Sequence, residues 1–349
     1  LASYITSTYW GTRLKGKTEY EWYPCLATDE IYPVSFDASG TATVNTGAAK
    51  VKNNEPIPAE VENDKRLYRK WRIYVKTNGD VNGSVLKYTT ASTKLQGQGF
   101  NNRGVTIDDY EYIYQLLLTG SNSIIRGTEM ANDSSYGIKG AQRYFNETKT
   151  ITDADAIQAK WNEFVENDKL GIKKGFDENG QFLDIELINP IDSFTAMYTL
   201  SSSLVSPLPK DLFVGPNALF PKVKDAINNY GTFNNGNSNA ILDYVLCVGP
   251  YTLKQWTKSP DVGSVVFERN NDWFEYDSSS STTRYKIPGV YYQIIDTSTD
   301  TEKDWKQLEA GNLDAAGVPS TKTNDWKDRT DANVFPTQGD STFKLNINS

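Results

Sequence analysis

Several segments of the chain carry the hydrophobic pattern of β-strands. Lys70–Lys76 reads KWRIYVK and Phe182–Ile188 reads FLDIELI, so both alternate polar and apolar residues with a period of two. Successive side chains of a strand point to opposite faces, and both segments are therefore predicted as half-buried strands. Val290–Ile295 is β-branched and aromatic and predicts a further strand. Gly171–Gly180 predicts a turn, and Asn189-Pro190 predicts the end of the second strand.

Other segments repeat apolar residues at helical spacing. Thr106 offers an N-cap, and Asp109 places a carboxylate beside the exposed amides of the first turn. This helix is predicted to end at Gly120, and further helices are predicted over about Ala154–Asp168 and Glu302–Ala310. Because strands and helices are mixed along the chain, the predicted fold class is α/β, in the sense of an α+β arrangement with a mixed sheet.

The composition narrows the range of functions. The 349 residues include 36 Lys and Arg, 44 Asp and Glu and no His, for a net charge of −8. No basic cluster is dense enough for a nucleic-acid partner, and no run approaches the roughly 20 apolar residues of a membrane-spanning helix. Without histidine, Ser-His-Asp and Cys-His catalysis are excluded, and neither a metal site nor a cofactor is predicted.

The chain has two cysteines, Cys25 and Cys247. Two cysteines so far apart in sequence can form one disulfide in an exported protein, or they can remain buried thiols. The sequence leaves both alternatives open.

Two neighbouring blocks carry the most specific sequence pattern. Val248–Trp256 reads VGPYTLKQW, and Val265–Phe274 reads VVFERNNDWF. Gly249-Pro250 breaks the chain before a predicted strand, and the second block is predicted to be its hairpin partner. The residues closely resemble the GPY-L--W and V-ERN--YW blocks of the family 5 extracellular solute-binding proteins of ABC importers, which include oligopeptide- and dipeptide-binding proteins.

Further blocks are similar to that family in the same order. They are Tyr9–Thr28, Lys139–Lys149, Leu170–Pro190, Ser206–Lys210 and Gln307–Ala316. The resemblance is weakest over Ser35–Asn102, whose polar stretches are predicted to be loops or a small added hairpin in a larger variant of the family's first lobe.

The resemblance implies a fold and a domain organisation. Residues 1–349 would form lobe I of a periplasmic-binding-protein type II fold, with a subdomain of about residues 35–240 inserted in it. The second lobe would be absent or only begun at residues 341–349. Because family members are longer, the chain is expected to be a fragment. Half of the main-chain contacts to a peptide would then be missing, so weak peptide binding is expected from the fragment alone.

The resemblance also implies a function. The chain would be the extracellular substrate-binding component of an ABC importer and not an enzyme, with an oligopeptide held between two lobes that close on it. Its membrane partners would be the ABC permease subunits. The protein would act as a monomer, lipid-anchored to the outer face of the cytoplasmic membrane or free in the periplasm.

Candidate ligand contacts follow from the expected cleft, where loops after strand ends meet the ligand. The predicted ligand-binding residues are Tyr136, Ala316, Gly317, Val318, Asn346 and Asn348. Asn side chains donate and accept hydrogen bonds to a peptide backbone, and glycine lets a backbone approach closely. The alternative for each residue is a local structural role. The aromatic residues of the hairpin blocks and the Glu268-Arg269 step are predicted to serve the packing of the lobe.

Other functions stay open. The many Tyr, Trp and Asn residues suit an oligosaccharide-binding receptor or a carbohydrate-binding adhesin. A glycosidase would need two carboxylates in a cleft, and Asp108-Asp109 or Asp184 with Glu186 are candidates. Asp184 and Glu186 share one face of a predicted strand, however, where carboxylates are expected to be solvated.

Overall fold

The computed structural model describes residues 6–15, 19–29, 31–36, 42–44, 67–79, 85–132, 137–215, 218–219, 242–243, 245–257, 263–280, 284–327 and 329. The chain divides into two compact units. The first comprises Leu1–Lys258 and Ser264–Tyr292, and the second comprises Ser259–Gly263 and Gln293–Ser349. The composition of the sequence indicates no boundary at these positions, and the organisation as a single lobe with an inserted subdomain stays a prediction.

Among the described residues, ten strands form three sheets. One sheet pairs β1 with β2, the central sheet has the order β4-β3-β5-β7-β6, and the third has the order β10-β9-β8. The strands are β1 (Trp10–Lys15), β2 (Glu19–Pro24), β3 (Tyr32–Phe36), β4 (Ala42–Val44), β5 (Tyr68–Tyr74), β6 (Ile172–Asp177), β7 (Gly180–Ile191), β8 (Tyr251–Thr257), β9 (Ser264–Arg269) and β10 (Gly289–Gln293). The central sheet is antiparallel throughout.

The described helices are interspersed among these strands. They are α1 (Thr93–Gly97), α2 (Ile107–Leu118), α3 (Ile125–Ala131), α4 (Ala141–Thr148), α5 (Ala154–Glu166), α6 (Ser193–Leu200), α7 (Lys303–Glu309) and α8 (Thr323–Trp326). The fold is therefore of the predicted α/β class, with antiparallel sheets. Within the described part of the chain, no helix combines the length and the apolar character needed to cross a membrane.

The alternation of β5 and β7 decides which face of the central sheet joins the core. Trp71 lies opposite Ile185 and Ile73 opposite Leu183, and all four side chains are fully buried. Burial of a large apolar side chain contributes roughly 1.5–3 kcal/mol, so this face holds the sheet against the helices, of which α2 contacts β6 and β7. The other face carries the polar residues of both strands.

The prediction around β7 is wrong at both ends. The sequence predicts a turn over Gly171–Gly180, whereas the structure has the strand β6 in most of that segment. The sequence also predicts an end at Asn189-Pro190, whereas β7 continues to Ile191, which still pairs with Tyr68. The pairing of β5 with β7 shifts in register beside Tyr68, and such irregular pairing accommodates a proline that has no amide hydrogen to donate.

The helix predictions are confirmed. Thr106 is the N-cap of α2, and the Asp109 carboxylate accepts a hydrogen bond from the Thr106 amide at 2.9 Å. The helices predicted over Ala154–Asp168 and Glu302–Ala310 correspond to α5 and α7. In the second unit, Trp305 of α7 is buried, and its ring centroid lies 4.7 Å from that of Trp326 in α8.

Candidate functional site

Three of the six predicted ligand residues lie between α7 and α8, in the second unit. Gly317 and Val318 are exposed, and Ala316 is partly exposed. A Cβ atom at Gly317 would meet nothing within 4 Å, so packing does not require glycine there. The other three, which lie outside the described residues, are Tyr136, Asn346 and Asn348. Ligand binding by these six residues stays a prediction.

Both cysteines are free and buried, so the structure has the two-thiol alternative and not the Cys25–Cys247 disulfide. Cys247 packs in a small apolar cluster with Tyr251 and Leu253, whereas Cys25 lies beside Tyr23. Burial raises the pKa of both thiols, and that of Cys247 reaches about 12. Since only the thiolate is a nucleophile, neither side chain is activated for catalysis.

We expect a chromogenic thiol reagent at mildly alkaline pH to react with almost no cysteine in the folded protein. After unfolding without reductant, it should react with both cysteines of each chain, because burial and the raised pKa are then lost. If the unfolded, unreduced protein had no reactive thiol, the two cysteines would be joined in a disulfide, and this expectation would be contradicted.

The hairpin blocks make contacts within their own unit. β8 and β9 form the predicted antiparallel hairpin. Tyr251 and Trp273 are buried, and the Tyr251 hydroxyl donates to the Ile287 carbonyl at 3.2 Å. Glu268 forms an ion pair with Lys254 at 2.8 Å. These contacts agree with a scaffold role.

The carboxylates considered for catalysis are held in ion pairs. Asp184 is only 3% exposed and accepts two hydrogen bonds from Arg72, at 2.7 and 3.0 Å. The expectation that this carboxylate is solvated is therefore wrong, because a cation on the neighbouring strand compensates its burial. Glu186 pairs with Lys139 at 3.0 Å, and Asp108-Asp109 bind two different cations.

A groove of about 620 Å³ lies on the polar face of the central sheet and entirely within the first unit. Its volume falls within the range of roughly 300–1,000 Å³ that is usual for small-molecule sites. We call it the sheet groove. The lining residues used below are Arg72, Asp168, Lys173, Gly175, Phe182 and Asp184.

The floor of the sheet groove is formed by Phe182. The guanidinium of Arg72 lies 3.4 Å from the centroid of its ring, a cation–π contact that contributes roughly 0.5–2 kcal/mol. A Cβ atom at Gly175 would lie 2.3 Å from the ring, so only glycine leaves room for it. Tyr32 and Tyr74 pack against Phe182 in a small buried cluster. The floor is thus fixed in place.

Most charges of the sheet groove are matched within the protein. Asp184 is neutralised by Arg72 and lies 3.6 Å from the Lys70 ammonium. Lys174 binds Glu111 of α2 at 2.6 Å. These pairs leave little net charge on the floor and walls of the groove.

Lys173 and Asp168 are the exceptions. Both are exposed, and within the ranges that the structure describes neither side chain has an ion-pair or hydrogen-bond partner. Lys173 lies opposite Asp184 in the pairing of β6 with β7, but that carboxylate is already bound by Arg72. Asp168 follows α5 with a φ of 52°. Among the described lining residues of the sheet groove, Lys173 is thus the cation and Asp168 the anion without an ion-pair partner.

The backbone of β6 adds a further feature to the sheet groove. β6 is the last strand of the described central sheet, so no described strand pairs with its outer edge. The amide and carbonyl groups of an edge strand can pair with another extended chain.

Sequence reasoning missed the sheet groove, although part of the signal was present. KWRIYVK places Lys70 and Arg72 on one face of a strand, and FLDIELI places Asp184 and Glu186 on one face of another. Opposite charges on two strands indicate pairing only once the strands are known to be neighbours.

Across the described residues, no group of three or more His, Cys, Asp or Glu side chains could hold a metal ion. Comparison of the chain with protein-family models and with curated proteins finds no match in either set.

Proposed function

We propose that the chain is the extracellular substrate-binding component of an ABC importer and that it binds oligopeptides. The ordered sequence blocks, the α/β class and the internal packing of the hairpin blocks support the proposal. In this proposal the chain provides lobe I of a periplasmic-binding-protein type II fold. Its partners are ABC permease subunits, and it is anchored by lipid outside the cytoplasmic membrane.

The observation that carries the proposal is the sheet groove along the edge strand β6. A peptide is an extended chain with an ammonium group at one end and a carboxylate at the other. The outer edge of β6 offers backbone hydrogen bonds, Asp168 offers an anion, and Lys173 offers a cation. Phe176, which also lines the groove and is 64% exposed, offers an apolar surface that accepts many side chains, which suits weak sequence preference.

The unmatched charges favour a zwitterionic ligand over a neutral one. A ligand that covers Lys173 and Asp168 removes the water that solvates both charges. It binds tightly only if its own groups replace the lost interactions with water. A peptide with free termini provides a partner for each charge, whereas a neutral sugar provides none of opposite sign. This comparison supports peptides ahead of oligosaccharides for the sheet groove.

Lys173→Met is expected to weaken the binding of a short peptide with free termini about tenfold, which corresponds to about 1.4 kcal/mol. It should not change the affinity for the same peptide with an amidated C-terminus, because that peptide has no terminal carboxylate. Asp168→Asn should likewise abolish the preference for a free over an acetylated N-terminus. NMR titration of the isotope-labelled chain measures these affinities even where binding is weak.

Lys87→Met is the matched control, because Lys87 lies outside the sheet groove and has no ion pair within the described residues. An equal loss of affinity in this control would contradict the assignment, as would wild-type affinity of Lys173→Met for the free peptide. Glycan binding in the absence of any peptide binding would favour an oligosaccharide receptor and reject the peptide proposal.

A further inference from the structure

A second cleft lies between the segment 89–102 and the hairpin of β8 and β9. Its volume is about 320 Å³, it shares no described lining residue with the sheet groove, and its described lining residues are all polar or charged. We call it the hairpin cleft. The lining residues used below are Gln96, Asn101, Asn102, Asn271 and Asp272.

The two walls of the hairpin cleft are tied together. The hydroxyls of Thr89 and Thr252 lie 2.7 Å apart and share a hydrogen bond across the cleft. The backbone of Thr89 also exchanges two hydrogen bonds of 2.8 Å with Cys247, just before β8. A ligand therefore meets walls that are already in position, which lowers the entropic cost of binding.

The basic residues of the hairpin cleft are already engaged. Lys254 pairs with Glu268 at 2.8 Å. Arg269 donates to the Lys286 carbonyl at 2.7 Å and lies 4.1 Å from the centroid of the Tyr276 ring. No basic group is left to attract an anion among the described lining residues.

The amide side chains of the hairpin cleft have forced orientations. The Thr90 amide and the Arg269 Nε can only donate, so the atoms they contact in Asn101 and Asn271 must be oxygens, at 3.1 and 2.9 Å. The Thr90 carbonyl can only accept, so Gln96 contacts it through nitrogen, at 2.9 Å. Each of these three amides uses one end on the scaffold, and its other end has no hydrogen-bond partner among the described residues.

The free ends form a mixed set of donors and acceptors. Within the described residues, the Nδ2 groups of Asn101 and Asn271 and the Oε1 of Gln96 have no hydrogen-bond partner. The side chains of Asn102 and Asp272 also have none there. A hydroxyl group both donates and accepts, so adjacent hydroxyls can satisfy this set, whereas a carboxylate or phosphate would face the unmatched Asp272.

We propose that the hairpin cleft is a binding site for a neutral polyhydroxylated ligand, a mono- or disaccharide. The Nδ2 groups of Asn101 and Asn271 donate hydrogen bonds to the hydroxyl oxygens, and the Asp272 carboxylate accepts from the hydroxyls; the volume of about 320 Å³ suits one or two sugar rings. An apolar peptide side chain would find no apolar residue among the described lining residues. This site is independent of peptide binding in the sheet groove.

The test is an NMR titration of the isotope-labelled chain with glucose, galactose, maltose and cellobiose. At least one sugar is expected to shift the side-chain amide resonances of Asn101 and Asn271. Asn101→Asp and Asn271→Asp each keep the oxygen that the scaffold needs and remove the free NH2 group with its two donors. Each is therefore expected to weaken sugar binding about five- to tenfold.

Asn162→Asp is the matched control, because Asn162 on α5 also accepts through its oxygen, from Gln158 at 2.7 Å, and lies outside the hairpin cleft. It should bind sugar as the wild type does. The proposal is overturned if no sugar shifts the cleft resonances at high millimolar concentration, if both cleft variants keep wild-type affinity, or if the control loses as much. Sugar-dependent shifts confined to resonances of the sheet groove would also overturn it. The peptide titration tests the proposed function, and its result does not bear on this site.

Discussion

Arg103→Met is expected to destabilise the folded chain by about 3 to 5 kcal/mol, because it leaves a buried carboxylate without its cation. Asp109 is fully buried, and Arg103 donates to both of its oxygens, at 2.7 and 3.0 Å. The loss should fall toward the lower value, since Asp109 also accepts from the Thr106 amide at 2.9 Å and lies in the positive first turn of α2. Urea unfolding followed by tryptophan fluorescence measures the change.

Asp211→Asn is the control for this prediction. Arg103 also pairs with Asp211 at 2.8 Å, but that side chain is 57% exposed, and an exposed ion pair contributes less than about 1 kcal/mol. A loss of stability in Arg103→Met no greater than that in Asp211→Asn would contradict the importance assigned to the buried pair.

Gly140→Ala is expected to cost about 3 kcal/mol, for two reasons that add. Gly140 has a φ of 73°, a conformation that costs an L-residue about 1–2 kcal/mol. Its added Cβ would lie 1.8 Å from the Lys169 carbonyl oxygen, which is backbone and cannot rotate away. Overpacking of this kind costs about 1–3 kcal/mol. The displacement should also reach Lys139, which lines the sheet groove.

Gly99→Ala separates the two reasons. Gly99 has a similar φ of 83°, but a Cβ atom there meets nothing within 4 Å. This variant should lose only about 1 kcal/mol, the conformational part of the cost. Equal losses at the two glycines, measured by urea unfolding, would mean that the contact with Lys169 has no effect on stability.

Much of the secondary structure could be predicted because its causes are local. α2 begins at Thr106 because an N-cap and a first-turn carboxylate lie within three residues of each other. β5 follows from the alternation of Trp71 and Ile73 with charged neighbours, and the Gly249-Pro250 break precedes the hairpin of β8 and β9. A window of a few residues contains each of these signals.

The sequence gives no comparable signal for β6 or for the end of β7. β6 contains Lys173, Lys174 and Gly175, which have low strand propensity, and it forms because β7 provides an antiparallel partner for all six of its residues. β7 continues past Pro190 because β5 still pairs at Ile191. Both corrections come from pairing between strands, which outweighs local preference.

The sequence by itself determined the α/β class, the start of α2, the alternating faces of β5 and β7, and the block pattern behind the proposed function. The tertiary structure decided which strands are neighbours, that Asp184 is buried against Arg72, and that Lys173 and Asp168 share one groove. The physical reason is the separation in sequence over which each signal acts. Periodicity and capping involve residues a few positions apart, whereas Arg72 and Asp184 are 112 positions apart and meet only after the sheet has formed.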